Sequence, residues 1–216
     1  MKLGQKVIFD SQILRREVHL DVFEPDDPTI TLLLFGGTGI DEAEYTRRRS
    51  SVIPLFNSST PIDLNQLRLV YATAPFDVPF VRFDEFPDEL SKWNRHVREE
   101  ILGRWKTTPF LVGSFSGSAA LVLNGIEQNE RCVGGVVIAP DDIKSDFVSP
   151  KHWPDKLAVF TSPNDRVCSD LENRNTIQLL VEAGEAIEIE VRATEHQLLH
   201  YFCQKPFLDW LRMSGC

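Results

Sequence analysis

Cationic residues are scarce in this sequence, which has 23 Lys and Arg against 32 Asp and Glu and a net charge of −9. An acidic surface repels phosphate backbones and anionic lipids, so we expect no nucleic acid partner and no membrane partner. The apolar runs have the length of single strands and fall short of the roughly 18 residues that a membrane-spanning helix needs, so we expect no membrane span. The first residues also lack the apolar stretch of a secretory signal.

Cysteine is rare as well. The four residues Cys132, Cys168, Cys203 and Cys216 lie far apart and include no C-x-x-C pair. This spacing is typical neither of a disulfide framework nor of a zinc site. We therefore expect reduced thiols and a cytoplasmic location.

The sequence does contain enough apolar residues for one sizeable core. It has 216 residues, of which 42% are hydrophobic, and a chain of this size buries roughly 70% of its unfolded surface. Short β-branched runs alternate with longer helix-compatible stretches, and no repeat or linker interrupts them. This alternation is typical of βαβ units, so we predict a single α/β domain over residues 1–216 with a mostly parallel sheet.

The predicted strands are the short runs rich in β-branched and other apolar residues. In chain order they are Lys6–Phe9, Glu17–Phe23, Thr29–Phe35, Leu67–Ala72, Phe110–Gly113, Cys132–Ala139, Leu157–Thr161 and Ile187–Val191. The first two are predicted to pair antiparallel through a turn near Asp10-Ser11. The predicted helices are Asp88–Trp105, Ala119–Leu123, Leu171–Ala183 and Gln197–Leu211, the last of which Pro206 could interrupt.

A turn made of small residues follows the strand that begins at Phe110. Its sequence, Ser114-Phe115-Ser116-Gly117-Ser118, has small residues two before and two after a central serine. A nucleophile elbow needs this spacing, because larger side chains would collide with neighbouring backbone where a strand turns abruptly into a helix. The overlapping G-x-S-x-G frame that starts at Gly113 has Phe115 at its centre and does not fit. We predict Ser116 as the nucleophile, with a plain Gly/Ser-rich turn as the alternative.

An acid and a histidine follow two later strands. Asp165 comes just after Leu157–Thr161, and His196 comes after Ile187–Val191. A serine hydroxyl needs a base, and that base needs a third group to orient it. Since the carboxyl ends of parallel strands lie along one edge of a sheet, the three side chains should meet there. The sequence thus predicts a catalytic triad of Ser116, His196 and Asp165.

Other residues compete for each role. The alternatives are Ser114 and Ser118 for the nucleophile, Asp141, Asp142 and Asp170 for the acid, and His200 for the base, while His19, His96 and His152 are expected to be surface or structural histidines. His196 and His200 have the i, i+4 spacing of helical metal ligands, but Gln197 stands where a zincin has glutamate, so we expect no metal. The run Arg47–Arg49 is expected to be a solvated helix face, with binding of an anionic substrate tail as the alternative.

A glycine-rich turn, Gly36-Gly37-Thr38-Gly39, follows the predicted strand that ends at Phe35. Residues without side chains leave backbone N–H groups free to stabilise the charge that develops on a substrate carbonyl oxygen. We predict Gly37 and Gly117 as the oxyanion-hole donors. A plain tight turn is the alternative. A dinucleotide-binding loop is excluded because Glu42 stands where its third glycine would be.

With these elements in this order, the chain resembles the α/β-hydrolase superfamily over nearly its whole length. The resemblance implies an eight-stranded, mostly parallel sheet with helices on both faces, and short members without a large cap domain, of the small carboxylesterase and dienelactone-hydrolase kind, look most similar. Two positions depart from the common pattern. Phe35 stands where many members carry histidine, and serines occupy the outer elbow positions. Both departures leave the predicted catalytic groups in place.

The resemblance implies hydrolysis of a carboxylic ester, thioester or amide of a small-molecule acyl substrate through an acyl-enzyme, without a cofactor. Two alternatives remain: a cofactor-free acyltransferase or perhydrolase that uses the same triad, and a non-catalytic binding protein on the same scaffold. Specificity is expected to lie in loops 40–65, 75–88 and 140–155.

Overall fold

The computed structural model of the chain describes residues 5–36, 66–72, 92, 95–105, 108–119, 131–140, 157–167, 171–184, 186–202 and 204–214. Eight strands run through these residues. They are β1 (Gln5–Ser11), β2 (Arg16–Phe23), β3 (Ile30–Phe35), β4 (Leu67–Ala72), β5 (Phe110–Phe115), β6 (Cys132–Ile138), β7 (Leu157–Thr161) and β8 (Ile187–Glu190). The predicted bounds of β4 and β7 are confirmed, and those of the other six differ by one to a few residues at one or both ends.

All eight strands belong to one sheet, in the order β1-β2-β4-β3-β5-β6-β7-β8. The pairs β1–β2 and β2–β4 are antiparallel. From β4 onward each neighbouring pair is parallel. The expected eight-stranded, mostly parallel sheet is therefore confirmed, and the carboxyl ends of β3, β5, β6, β7 and β8 share one edge.

The sheet buries apolar side chains on both faces, because successive residues of a strand point to opposite sides. In β3, Leu33 and Phe35 join one apolar cluster, while Leu32 and Leu34 join the other. We call these the first and the second face. This two-sided burial explains why β3 is an almost continuous apolar run, interrupted by Thr31 alone.

Helices cover both faces. On the first face, helix α1 (Leu171–Glu182) contributes Ile177 and Leu180. On the second face, helices α2 (Leu198–Phe202) and α3 (Lys205–Met213) contribute several aromatic side chains. These are Tyr201, Phe202, Phe207 and Trp210. No helix within the described ranges has the length and apolar character needed to cross a membrane.

The turn between β1 and β2 lies later than predicted. Asp10 and Ser11 are still paired with Glu17 and Arg16, so the turn comprises the four residues that follow Ser11. The side chain of Ser11 stabilises that turn, because its Oγ accepts a hydrogen bond from the backbone N–H of Leu14 at 2.8 Å. The turn predicted near Asp10-Ser11 is therefore present but begins after Ser11, because serine and aspartate also occupy strand ends, where their side chains bond to the turn.

One predicted helix differs from the structure, and the interruption predicted in another at Pro206 is confirmed. The described part of Asp88–Trp105 includes a π-helical segment, Val97–Ile101, followed by a 3₁₀ turn, Leu102–Trp105, so the predicted regular helix does not run to its end. The C-terminal helix is divided before Pro206, which lies in the first turn of α3. Proline is tolerated there because the first-turn N–H groups have no partner within the helix. Apart from Ala119, the predicted helix Ala119–Leu123 lies outside the described residues.

Candidate active site

The chain turns sharply at the end of β5. Strand β5 ends at Phe115, and a single 3₁₀ turn follows over Ser116–Ser118. Ser116 has a φ of 59°, a left-handed conformation that is unusual for a residue with a side chain. Such strain is typical of a nucleophile elbow, in which a tight turn projects the central hydroxyl from the sheet edge.

The flanking serines differ in their hydrogen bonds. Both Ser114 and Ser118 are fully buried. The Oγ of Ser118 accepts the Phe115 N–H at 3.1 Å and lies 3.0 Å from the Phe115 carbonyl and 3.1 Å from the Phe35 carbonyl, so it bridges the ends of β5 and β3. The Oγ of Ser114 has no hydrogen-bond partner among the described residues. The presence of serine at position 114 is explained by its small size alone. At position 118 the serine hydroxyl also stabilises the turn through its hydrogen bonds.

Asp165 lies in the loop after β7, and its carboxylate is buried. The residue is 1% exposed. Its Oδ1 accepts the backbone N–H of Val167 at 3.0 Å. The loop is tied to the one after β8, because the Oγ of Ser162 donates to the Ala193 carbonyl at 2.8 Å and the N–H of Val191 donates to the Thr161 carbonyl at 2.8 Å. These bonds fix the acid relative to the loop that carries His196.

His196 lies between the serine and the acid. Its Nε2 is 2.8 Å from Oγ of Ser116, and its Nδ1 is 2.8 Å from Oδ2 of Asp165. An ionised carboxylate only accepts hydrogen bonds, so Nδ1 carries the proton and Nε2 of the neutral ring accepts the Ser116 hydroxyl. The side chain of His196 is 25% exposed, so solvent reaches the imidazole while the acid behind it stays dry.

Two aromatic residues surround this chain of hydrogen bonds, and sequence reasoning missed both. The Tyr201 hydroxyl donates to Oδ2 of Asp165 at 2.6 Å. The ring of Phe115 packs on the imidazole of His196, with centroids 4.9 Å apart. The i, i+3, i+4 spacing of Leu198, Tyr201 and Phe202 could have identified Tyr201 as buried, and a buried phenol needs a polar partner. Nothing local identifies that partner as Asp165.

The proposed oxyanion-hole donors are only partly described. Gly117 is buried in the turn directly after Ser116. Gly37 lies outside the described residues, but its neighbour Gly36 does not: the Gly36 N–H donates to the Ala72 carbonyl at 2.8 Å, so it extends the sheet. A Cβ at Gly36 would collide with the hydroxyl of Tyr71, which explains why glycine occupies this position.

The competing histidines lie elsewhere. His200 lies on helix α2, which follows His196, and its Nδ1 is 3.2 Å from the Thr194 hydroxyl. His96 is fully buried beside Glu100, with Nδ1 2.6 Å from Oε2, and burial lowers its pKa although Glu100 partly opposes this. His19 contacts Glu17 on β2. None of the three is hydrogen-bonded to Ser116 or Asp165 in the described part of the chain.

The remaining alternatives that the sequence offered lie outside the described residues. They are Asp141, Asp142, Asp170, His152 and the run Arg47–Arg49. In the ranges that are described, no group of three or more His, Cys, Asp or Glu side chains has the arrangement of a metal site.

The arrangement of Ser116, His196 and Asp165 has a definite chemical capacity. The imidazole can take the proton of the serine hydroxyl through a bond that already exists, and the buried carboxylate can stabilise the imidazolium that results. The Ser116 hydroxyl lies at the carboxyl edge of the sheet, where ligand sites of open α/β folds form. The three residues can therefore act as an activated hydroxyl nucleophile.

Comparisons with known proteins identify the fold. No protein-family model matches the chain, and no curated protein sequence matches it. Among solved structures, an S-formylglutathione hydrolase from Agrobacterium tumefaciens superposes with a TM-score of 0.66 at 13% identity, covering 98% of this chain and 95% of that one. An α/β serine hydrolase without a lid from Xanthomonas campestris gives 0.60 at 14% identity, covering 100% and 92%. A fluorophosphonate-binding serine hydrolase from Staphylococcus aureus gives 0.63 at 14% identity, covering 100% of both chains.

Proposed function

We propose that this chain, which has the α/β-hydrolase fold, is a serine hydrolase that cleaves a carboxylic ester, or a related thioester or amide, of a small-molecule acyl substrate. One observation carries the proposal: the imidazole of His196 is hydrogen-bonded at 2.8 Å to the Ser116 hydroxyl and at 2.8 Å to the Asp165 carboxylate. Ser116 is the nucleophile, His196 the general base and acid, and Asp165 the group that orients the imidazole.

The first half of the reaction forms an acyl-enzyme. Nε2 of His196 takes the hydroxyl proton as Oγ of Ser116 bonds to the acyl carbon, and the carbonyl oxygen becomes an oxyanion. The N–H groups of Gly117 and Gly37 are the proposed donors to that oxygen. The bond to the leaving group then breaks, and the leaving group receives the proton from Nε2.

Water completes the cycle. Nε2 takes a proton from the water as its oxygen bonds to the acyl carbon, and the second tetrahedral intermediate breaks the bond to Oγ of Ser116. Oγ recovers its proton from Nε2, and the carboxylic acid leaves. Throughout both halves Asp165 stays ionised, so it stabilises each imidazolium stage without accepting a proton. None of these steps needs a cofactor or a metal ion.

Buried and exposed groups are distributed as this chemistry requires. The acid is 1% exposed while the side chain of His196 is 25% exposed, so the carboxylate acts in a low-dielectric environment and the imidazole remains accessible to substrate. The strained φ of 59° at Ser116 further supports a catalytic role. Strain of this kind costs about 1–3 kcal/mol and persists mainly where function needs it.

Ser116→Ala tests the proposal. The hydroxyl is lost without added bulk, so the variant should fold while hydrolysis of a short-chain aryl ester falls by about three orders of magnitude or more. Asp165→Asn should also lower turnover sharply, because the amide can hold the wrong imidazole tautomer. A folded Ser116→Ala protein with wild-type turnover would refute the proposal.

The substrate chemistry is a finer part of the same proposal. One neighbour of this fold is named as an S-formylglutathione hydrolase, so thioesters belong among the test substrates beside aryl esters. Adding alcohol, amine or hydrogen peroxide during turnover separates hydrolysis from acyl transfer and perhydrolysis by product analysis. We also propose a single domain over residues 1–216 and a cytoplasmic location, both on the sequence evidence given above.

A further inference from the structure

The buried hydroxyl of Tyr201 touches the proposed triad, although no step of the mechanism uses it. Its oxygen lies 2.6 Å from Oδ2 of Asp165, and the residue is 0% exposed. Because a carboxylate can only accept, the phenol is the donor. The separation falls within the range of a charge-assisted O–H···O⁻ bond, about 2.5–2.7 Å, which is stronger than a bond between neutral groups.

The same carboxylate oxygen serves Tyr201 and His196. Oδ2 of Asp165 accepts the Tyr201 hydroxyl and also Nδ1–H of His196 at 2.8 Å. Oδ1 accepts the backbone N–H of Val167 at 3.0 Å. Donors on both oxygens fix the plane of the carboxylate, and the two donors on Oδ2 compensate for the burial of its negative charge. The orientation of Oδ2 therefore does not depend on the imidazole alone.

The ring of Tyr201 supports the imidazole from a second direction. It packs edge-on against Phe115, with centroids 6.5 Å apart. Phe115 in turn packs on the His196 ring at 4.9 Å. Helix α2 makes both contacts possible, because Leu198, Tyr201 and Phe202 recur on its buried side. Tyr201 thus contacts Asp165 through its hydroxyl, and through its ring it contacts Phe115, which packs on His196.

We infer that Tyr201 is a positioning residue for the reaction at Ser116: its hydroxyl keeps the Asp165 carboxylate ionised and directed at Nδ1 of His196. This inference rests on the proposed function. Its effect is greatest when the imidazole becomes imidazolium, because an ionised carboxylate in the right orientation then stabilises the new charge. Tyr201 acts through Asp165.

Tyr201→Phe is the direct test, since it removes one oxygen and keeps the ring that packs on Phe115. We expect kcat for a short-chain aryl ester to fall about 10- to 100-fold, the equivalent of one hydrogen bond to a charged group. KM should stay within about twofold, because an interaction that matters in the transition state and not for substrate binding changes kcat. Wild-type kcat in the folded variant would overturn the inference.

Phe202→Leu is the matched control for packing in helix α2. Phe202 is buried next to Tyr201, and its ring packs on Phe207 with centroids 4.3 Å apart. The substitution lowers the urea midpoint by reducing core packing and leaves the hydroxyl of Tyr201 in place. We expect kcat to remain within about twofold of wild type. A loss of kcat as large as that of Tyr201→Phe at a comparable midpoint would assign the effect to packing and overturn the inference.

A double-mutant cycle identifies the route of the effect. In the Asp165→Ala background the acceptor of the Tyr201 hydroxyl is absent, so Tyr201→Phe should produce no further loss of kcat. An equal fold-loss in both backgrounds would mean that the hydroxyl does not act through Asp165.

Ser116→Ala distinguishes a failure of the proposed function from a failure of this inference. If the Ser116→Ala protein retains turnover, the proposed function and this inference both fail. If it is inactive and Tyr201→Phe is unimpaired, the inference alone fails.

Discussion

Replacing Ser118 by alanine tests how the turn at the nucleophile is held. The Ser118 Oγ accepts the Phe115 N–H at 3.1 Å and is within 3.1 Å of the Phe35 carbonyl, in a fully buried position. Alanine would leave a buried N–H without this acceptor, at a cost of about 1–3 kcal/mol. We also expect a lower kcat, because the strained φ of 59° at Ser116 depends on the residues around it.

Ser114→Ala makes the same chemical change two residues on the other side of Ser116. Ser114 is also fully buried, but its Oγ has no partner within the described part of the chain. Removing a buried hydroxyl that makes no hydrogen bond should leave the free energy of unfolding unchanged or raise it slightly. The two variants therefore remove the same group from equally buried positions. They differ in whether that group makes hydrogen bonds.

Urea denaturation followed by circular dichroism measures both variants, and thermal melting provides a second reading. In a domain of this size, 1 kcal/mol shifts Tm by about 2–4 °C. We expect Ser118→Ala to melt several degrees below wild type and Ser114→Ala at or above it. Equal destabilisation by the two substitutions would refute the view that the Ser118 hydroxyl fastens β5 to β3.

Three further predictions concern other parts of the structure. Burial acts to raise the pKa of Glu100, but hydrogen bonds from Ser11, His96 and two backbone N–H groups together outweigh it and lower that pKa. Glu100→Gln should therefore cost about 1–3 kcal/mol at pH 7. This stabilisation is present above the ordinary pKa of 4.5 and is lost as the pH falls through the lowered one, so an equal cost in urea titrations at pH 3 would contradict it. Burial raises the pKa of the Cys132 thiol to about 11. Iodoacetamide at pH 8 should therefore modify Cys132 only after unfolding, as followed by mass spectrometry of the peptide that contains it. Rapid modification of Cys132 in the native protein would count against this. Gly36→Ala should lower Tm because its Cβ would meet the Tyr71 hydroxyl, and an unchanged Tm would show that the ring moves aside at little cost.

The sheet was predictable because its strands have strong local signals. β4 and β7 are short, mostly apolar runs buried on both faces, and their observed bounds are the predicted ones. Where the prediction was wrong, contacts outside the local pattern decide the structure. Ser11, for example, stays in its strand because Arg16 pairs with it. The interruption predicted at Pro206 is confirmed, and proline fits there because it lies in the first turn of α3.

The order of the candidate site residues along the chain carried most of the information about the site. Ser116, Asp165 and His196 each follow a predicted strand, and the topology of a parallel sheet requires such positions to share an edge. The hydrogen bonds around them were not predictable. Ser162 bonds to the carbonyl of Ala193, which lies 31 residues later in the sequence. No local sequence pattern indicates that these two residues are in contact.

Tyr201 illustrates the same limit more clearly. The sequence could indicate a buried helical face after His196 and hence a buried phenol that needs a partner. The partner, Asp165, lies 36 positions earlier and meets the phenol only because α2 packs on the second face of the sheet beside the β7 loop. A sequence pattern can show that a polar group must be paired, but only the folded chain determines with what.

Covalent labelling with a fluorophosphonate tests the central claim most directly, because the reagent reacts with a serine only when a base activates it. Intact protein should gain one phosphonyl group, and peptide mapping should assign it to Ser116. The adduct should be absent from Ser116→Ala and form much more slowly in His196→Ala. An unlabelled wild-type protein, or a single adduct on any other residue, would contradict the account.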